Sequence, residues 1–181
     1  MADSPSLDGM RRSFRTIKDR QSQNAALIPD LEARKDRLRK VKEASVGDLE
    51  LLEQAVSRLR ENGFRVVLAK TREAAVRVIA EEVRGHALVV KSKSNVTKDL
   101  HLSERLASEG VQVIETDLGD RIIQLAGCPA AHPTGPACHM TRREIADLFT
   151  SHFGRDVSDD PMELTSVMRD EIASYMDRAK V

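Results

Sequence analysis

The sequence predicts an α/β fold in which three short parallel strands alternate with helices in a βαβαβ order. Two observations lead to this prediction. Apolar runs rich in β-branched residues occur at residues 64–69, 87–90 and 111–114, and stretches of helical spacing fill the gaps between them. Strands that are joined through helices run parallel within one sheet, with helices packed on its faces. The expected architecture is therefore a three-layer parallel sheet.

Helical spacing also fills the chain before the first predicted strand. Apolar side chains recur there every third or fourth position over residues 7–62, and Gly63 ends the last of these stripes. We therefore expect two parts, an amino-terminal helical region over residues 1–62 and an α/β domain over residues 63–181. Basic residues at 34–42 alternate with acidic ones, which favours a solvated helix face over a docking patch.

The composition excludes several classes of function. Lysine plus arginine and aspartate plus glutamate number 29 each, so the formal net charge is zero. Such a chain has no general attraction to nucleic acid or to an anionic membrane. Only 3% of residues are aromatic and none is tryptophan, so base-stacking platforms are lacking. With no membrane-length apolar segment and no signal-like start, we expect a cytoplasmic protein without a nucleic-acid partner.

Two cysteines, Cys128 and Cys138, lie in a loop rich in proline. In a reducing compartment they are expected to be free thiols. They lack the close cysteine and histidine spacing of a metal site, and an iron-sulfur cluster needs four thiolates. We therefore expect no metal and no cofactor in this chain.

A polar turn directly follows the second predicted strand and consists of Lys91, Ser92, Lys93 and Ser94. Ligands of open α/β sheets bind beyond the carboxyl ends of the strands, where backbone N–H groups of the next helix attract anions. Two lysines would strengthen that attraction. The turn is thus a candidate anion site, and the alternative is a solvated connection without a ligand.

The third predicted strand also ends in polar residues, namely Glu115, Thr116 and Asp117, with Asp120 close behind. Because parallel strands point the same way, these side chains are expected at the same edge of the sheet as the lysine turn. The acidic groups could hold a cation or accept hydrogen bonds from substrate hydroxyls. Acidic residues at a helix start also stabilise its dipole, so both interpretations stay open.

The loop at residues 128–140 contains three prolines and a glycine, which prevent a helix and fix its path. Its histidines, His132 and His139, and Arg142 beyond it are candidates for acid–base or ligand-binding roles. A histidine beside a proline turn is also a common hydrogen-bonding tie. A capping box that begins at Thr141 predicts the start of the next helix.

Four blocks of the sequence together resemble the lactate-utilisation (LUD) domain family, in its iron-sulfur subunit branch. In order they are Lys91-Ser92-Lys93-Ser94, Glu115-Thr116-Asp117-Leu118-Gly119, Gln124-Leu125-Ala126-Gly127 and Pro136-Ala137-Cys138-His139-Met140-Thr141-Arg142. The resemblance implies an α/β fold of the ribose-phosphate isomerase and CoA-transferase class. It also implies a role in oxidising lactate to pyruvate within an iron-sulfur complex, with other lactate-utilisation subunits as partners.

The sequence departs from the family pattern at several places. Lys98 and Asp99 stand where the family often has glutamates, and Cys128 and Cys138 stand where other residue types are expected. The second half of the family's domain and its cysteine-rich segment are expected beyond this chain. We therefore expect an incomplete domain, with an iron-sulfur cluster only in a missing segment or a partner subunit.

An incomplete sheet would leave apolar surface uncovered, which favours a homodimer. The alternative is that the helices before Gly63 and after Asp160 fold over the gap and keep the chain monomeric.

Two functions remain compatible with the sequence. The chain is a component of an oxidoreductase that binds a small anionic metabolite or cofactor, or it is a non-catalytic binding or assembly module of a redox or regulatory complex. The sequence shows no nucleophile–base pair and no complete cofactor motif, which favours the module for this chain in isolation. Whether the chain is itself an enzyme stays open.

Overall fold

A computed structural model describes residues 7–179 of the protein. Within this range the chain forms nine helices and two strands. In chain order they are α1 (Leu7–Ala25), α2 (Leu31–Ser45), α3 (Leu49–Glu61), α4 (Arg72–Glu82), β1 (Leu88–Lys91), α5 (Asn95–Asp99), α6 (Leu102–Ser108), β2 (Gln112–Glu115), α7 (Leu118–Ala126), α8 (Arg142–Phe153) and α9 (Pro161–Arg178).

The chain divides into two compact units. Of the described residues, the sheet unit comprises 7–15 and 71–179, and the helical unit comprises Thr16–Lys70. Both strands and the helices α4 to α9 belong to the sheet unit. The boundary between residues 62 and 63 that the sequence suggests stays a prediction.

The two strands form a small parallel sheet. Leu88 pairs with Gln112 and Lys91 pairs with Glu115, so the strands end level with each other. The second and third predicted strands are therefore confirmed, each shifted by one residue toward the carboxyl terminus. Their parallel course also confirms the predicted crossover, which runs through α5 and α6. The fold is α/β, with a sheet of two strands among the described residues.

The prediction of a first strand over residues 64–69 is wrong, because these residues form neither a helix nor a strand. Their composition suits a strand, but a strand exists by pairing and by burying at least one face. Phe64, Val67 and Leu68 are instead 61%, 51% and 60% exposed. The expected βαβαβ order is thus reduced to one βαβ unit in the described part of the chain.

Two apolar clusters form the core of the sheet unit. The first cluster joins α4, α6 and the two strands with the residues that flank them, and consists of Val76, Val83, Val89, Leu102, Leu106, Val111 and Val113. The second cluster joins α7, α8, α9 and the loop before α9, and consists of Ile122, Ala146, Phe149, Val157, Leu164, Val167, Met168 and Ile172. Helix α7 contacts β2, α8 and α9. Its first turn is therefore anchored beside the carboxyl end of the sheet.

Local signals fix several helix ends. The predicted capping box is present, since Thr141 Oγ1 accepts from the Glu144 backbone N–H and the Glu144 carboxylate accepts from the Thr141 N–H. The helical stretch predicted between the second and third strands is divided in two, and its second part, α6, starts at Leu102. It is separated from α5 by His101, whose φ of 50° is left-handed. A residue in that conformation cannot continue a helix.

In the helical unit, Val56 is the buried apolar residue of α3, while Leu38, Val41 and Leu49 are 55%, 66% and 71% exposed. The stripes predicted to face inward on these helices are therefore largely at the surface. In the described part of the chain, no helix is both long and apolar enough to cross a membrane.

Candidate functional site

An ion pair lies where the two strands end. Lys91 and Glu115 are the last register partners of β1 and β2, and Lys91 Nζ lies 2.8 Å from Glu115 Oε2. The two side chains are only 10% and 11% exposed. Removing either charge from such a buried pair would leave the other without compensation. The pair is therefore part of the fold as well as part of the site.

The residues around this pair have mainly structural contacts. Thr116 Oγ1 donates to the Lys91 carbonyl at 3.1 Å, and Ser94 Oγ accepts from the Thr97 backbone N–H at the start of α5. Asp117 is the N-cap of α7 and accepts from the Asp120 backbone N–H at 3.1 Å. Of the two interpretations open for the acidic residues, Asp117 thus fits the helix-stabilising one.

Asp120 is placed differently, because it is 4% exposed and lies between two lysines. Lys98 Nζ donates to its Oδ1 at 2.5 Å, and Lys93 Nζ lies 3.6 Å from its Oδ2. Lys93 also pairs with Asp117 at 3.4 Å. The cations at the strand ends are therefore balanced by carboxylates. We call Lys91, Lys93, Lys98, Glu115, Asp117 and Asp120 the strand-end cluster.

A cleft of about 770 Å³ opens beside β2 and takes in most of this cluster. Residues of β2, α6 and α7 line it, and four members of the cluster are among the lining residues, namely Lys91, Lys98, Glu115 and Asp120. We call it the β2 cleft. Lys93, Asp117 and the exposed Ser92 are not among the lining residues that the structure describes.

Gln124 closes the free edge of β2 along one wall of the cleft. Its Nε2 donates to the Val113 carbonyl at 2.6 Å, and its Oε1 accepts from the Glu115 backbone N–H at 3.3 Å. These are the two edge groups that a neighbouring parallel strand would bond. One side chain therefore satisfies backbone groups that would otherwise be unpaired, and it fixes α7 against β2.

Arg121 also lines the cleft and belongs to a buried network. It donates through Nε and Nη2 to both oxygens of Glu171, at 3.2 and 2.6 Å, and through Nη1 to Gln124 Oε1 at 2.7 Å. His152 Nε2 lies 2.9 Å from the same Glu171 carboxylate. Burial raises the pKa of Glu171, but the hydrogen bonds from Arg121 and His152 outweigh it, so the pKa is lowered overall. The network joins α7, α8 and α9.

The structure separates the three remaining candidate residues. His132 packs edge-on against Phe14 at 5.2 Å between ring centroids, and its Nδ1 bonds Thr134, as expected of a structural tie. Arg142 begins α8 and lines a different cavity of about 140 Å³. His139 Nε2 lies 3.9 Å from Cys128 Sγ, and Cys128 lines the β2 cleft. Of the three, His139 adjoins the cleft.

Sequence reasoning missed Lys98, Arg121 and Gln124 as parts of the site. A signal was present for two of them. Gln124 is the first residue of one of the four blocks that resemble the family. Arg121 follows Asp120 on a helix whose apolar side is recognisable in the sequence from Ile122 onward. For Lys98 the signal in the sequence was only a departure from the family pattern. Its partner lies 22 positions away, which no local pattern reveals.

Comparison with known proteins finds a matching domain family and similar proteins. Residues 52–181 match the LUD domain. The lactate utilization protein B of Exiguobacterium sp. (strain ATCC BAA-1283 / AT1b) is 35% identical over 168 residues, covering 91% of this chain and 36% of that protein. Proteins of the same name from Bacillus thuringiensis (strain Al Hakam) and Bacillus cereus (strain B4264) are each 37% identical over 136 residues, covering 71% of this chain and 29% of theirs.

The chain thus spans about a third of the length of these relatives. No solved structure gives a significant match. The domain match covers well over half of the chain and includes all of the strand-end cluster and the β2 cleft. This chain belongs to the LUD domain family.

Proposed function

We propose that this chain binds a small anionic metabolite or cofactor in the β2 cleft and that it serves in lactate utilisation. The observation that carries the proposal is the position of Lys98. Lys98 lines the cleft with a side chain that is 31% exposed, and the hydrogen bond to Asp120 uses one of the three N–H donors of its ammonium group. Lys91 lines the same cleft with a side chain that is 10% exposed, and it adds a second positive charge.

The relatives named lactate utilization protein B support the physiological part of the proposal. On this view the chain is part of an assembly that oxidises lactate to pyruvate, with other lactate-utilisation subunits as partners. The iron-sulfur cluster of the branch would be held by a segment or subunit outside this chain. The βαβ unit supports the finer proposal that the fold is a three-layer sheet of the ribose-phosphate isomerase and CoA-transferase class. A cytoplasmic location is part of the proposal.

A second function is a non-catalytic binding or assembly module. The observation that favours it is that each lysine of the strand-end cluster is paired with a carboxylate, since paired lysines attract an anion less strongly than free ones. The pairs are Lys91 with Glu115, Lys93 with Asp117 and Lys98 with Asp120. A module of this kind would include the proposed homodimer. Light scattering over a concentration series would test the dimer, because a mass that stays at one chain at all concentrations contradicts it.

Ligand binding separates the two functions. Isothermal titration calorimetry of the chain with lactate, pyruvate, nucleotides and CoA should find binding of at least one of them. Replacing Lys98 by methionine should weaken it by about 10-fold to 100-fold, the range of a charge-assisted hydrogen bond. Lys98 is the better choice than Lys91, because Asp120 keeps a second cation when Lys98 is replaced, namely Lys93 Nζ at 3.6 Å from its Oδ2. Removal of Lys91 would take away the cation that pairs with the buried Glu115 carboxylate and would destabilise the fold.

The matched control is Lys40→Met, which removes a 68% exposed lysine of α2 that pairs with Asp36. It should leave affinity unchanged, and circular dichroism should show the same helix content in both variants. Failure to bind any of these compounds, or equal affinity of Lys98→Met and the parent chain, would favour the assembly module instead.

A further inference from the structure

We infer that Asp120, aided by Glu115, makes the β2 cleft selective for anions that carry a hydroxyl group on the adjacent carbon over the corresponding keto compounds. The inference rests on the proposed anion binding and adds to it the residues that decide specificity. It would make the cleft a site for the reduced member of a hydroxy/keto pair.

Two carboxylate residues that line the cleft are buried. Asp120 is 4% and Glu115 is 8% exposed. Asp120 Oδ2 accepts no hydrogen bond from the described residues, since Lys93 Nζ at 3.6 Å is too distant. Glu115 Oε2 is 2.8 Å from Lys91 Nζ in an ion pair and has no hydrogen-bond partner among the described residues. Each carboxylate therefore has one buried oxygen without a hydrogen bond, and both residues line the cleft.

A hydrogen-bond donor supplied by a ligand can satisfy such a buried acceptor. A buried polar atom without a hydrogen bond costs about 1–3 kcal/mol, so a ligand that supplies a donor gains by binding there. A metal cation suits the place poorly, because the ammonium groups of Lys91, Lys93 and Lys98 surround the two carboxylates and would repel it. A hydroxyl donates a hydrogen bond without adding charge. The chemistry of the cluster thus favours a hydroxyl.

The positions of Lys98 and Asp120 set the spacing between the anionic group and the hydroxyl of the ligand. Lys98 Nζ lies 2.5 Å from Asp120 Oδ1, so the cation for the anionic group and the acceptor for the hydroxyl are neighbours. A ligand that meets both must carry its hydroxyl next to its anionic group, as a 2-hydroxy carboxylate does. A 2-keto carboxylate instead places a carbonyl oxygen against the Asp120 oxygen, acceptor against acceptor. A site built for a hydroxyl rejects ligands that lack it.

Three carboxylates of nearly equal size differ in the group on the carbon next to the carboxylate, so their affinities measure the contribution of that group. Lactate offers a hydroxyl donor, propionate offers neither donor nor acceptor, and pyruvate offers an acceptor. We expect affinities in that order, with lactate bound about tenfold or more tightly than pyruvate in calorimetry at fixed ionic strength. Both enantiomers of lactate are titrated, since the cleft is chiral.

Replacing the acceptor by a donor should change the order. In Asp120→Asn the amide nitrogen can donate to a keto oxygen, so the preference for lactate over pyruvate should shrink to below about twofold or reverse. Glu115→Gln is the second variant, used if Asp120→Asn fails to fold. It should also reduce the preference for lactate over pyruvate. Asp99→Asn, which changes an exposed carboxylate of α5 outside the cleft, is the control and should keep the parental order.

The outcomes distinguish this inference from the proposal beneath it. Affinity that falls from lactate to propionate to pyruvate, with smaller differences between the three in the variants, supports both the proposal and the inference. Equal binding of all three compounds by the parent chain leaves anion binding intact and overturns the selectivity. An unchanged order in both Asp120→Asn and Glu115→Gln overturns the role of these residues. Absence of binding by any anion overturns the proposal and the inference together.

Discussion

Replacing Arg121 by methionine tests whether the buried network holds α7, α8 and α9 together. The arginine side chain is 5% and its partner Glu171 is 8% exposed, and two hydrogen bonds of 3.2 and 2.6 Å join them. The substitution would leave the Glu171 carboxylate buried without its cation. Breaking a buried pair in this way costs about 3–5 kcal/mol. For a chain of this size each kcal/mol lowers Tm by about 2–4 °C, so a fall of roughly 6–20 °C is expected.

Tyr175 provides the assay, because it is the single tyrosine of a chain without tryptophan and its ring lies 5.2 Å from the Arg121 guanidinium. Its fluorescence in a urea titration therefore reports unfolding of the α7–α9 core. Arg11→Met is the control. Arg11 pairs with Asp8 at 3.5 Å, but the two side chains are 76% and 79% exposed, so its loss should change stability by about 0.5 kcal/mol or less.

A double variant gives the sharper result. When Glu171 is also replaced by methionine, no buried charge is left unpaired, and apolar replacements of a buried ion pair are often neutral. We expect Arg121→Met/Glu171→Met to recover most of the stability that Arg121→Met loses. A loss below about 1 kcal/mol in the single variant, or a double variant as unstable as the single one, would refute the reasoning.

Two further predictions concern pH and packing. Because the folded protein lowers the pKa of Glu171, its ionisation stabilises the fold above the ordinary glutamate pKa of about 4.3, and that stabilisation is lost as pH falls through the lower folded value. The difference in unfolding free energy between the parent chain and Glu171→Gln should therefore shrink on acidification, and a difference that grows would contradict the sign. Gly9→Ala should destabilise the sheet unit by about 1–3 kcal/mol in thermal unfolding, since a Cβ there would lie 2.5 Å from the His139 carbonyl oxygen. Gly135→Ala, whose Cβ would meet its nearest atom at 3.5 Å, is the control, and equal Tm values for the two variants would show that the close approach is not rigid.

Elements with local causes were predictable from the sequence. The capping box at Thr141 and the N-cap at Thr71 depend on side chains within three positions of the backbone groups they bond. The strands β1 and β2 follow from short apolar runs between glycine turns, and their parallel order follows from the helices between them. The failed strand at residues 64–69 shows the limit. Composition gives strand propensity, but pairing is a tertiary event.

The candidate site was predictable in part. The sequence places the lysine turn and the acidic turn at one edge of the sheet, because parallel strands must end on the same side, and Lys91 and Glu115 do meet there. It could not assign Lys98 to Asp120, since the two residues lie 22 positions apart on different helices. Nor could it exclude His132, whose ring packs against Phe14 on a helix remote in sequence.

The sequence by itself determined the family, the parallel strand order and the charges available at the strand ends. The tertiary structure decided what each of those charges does. Asp117 and Asp120 lie three positions apart and are the same residue type, yet one caps a helix and the other is buried between two lysines beside a cleft. The physical reason is that a carboxylate's role is set by the donors that reach it within about 3 Å, and those donors come from segments remote in sequence.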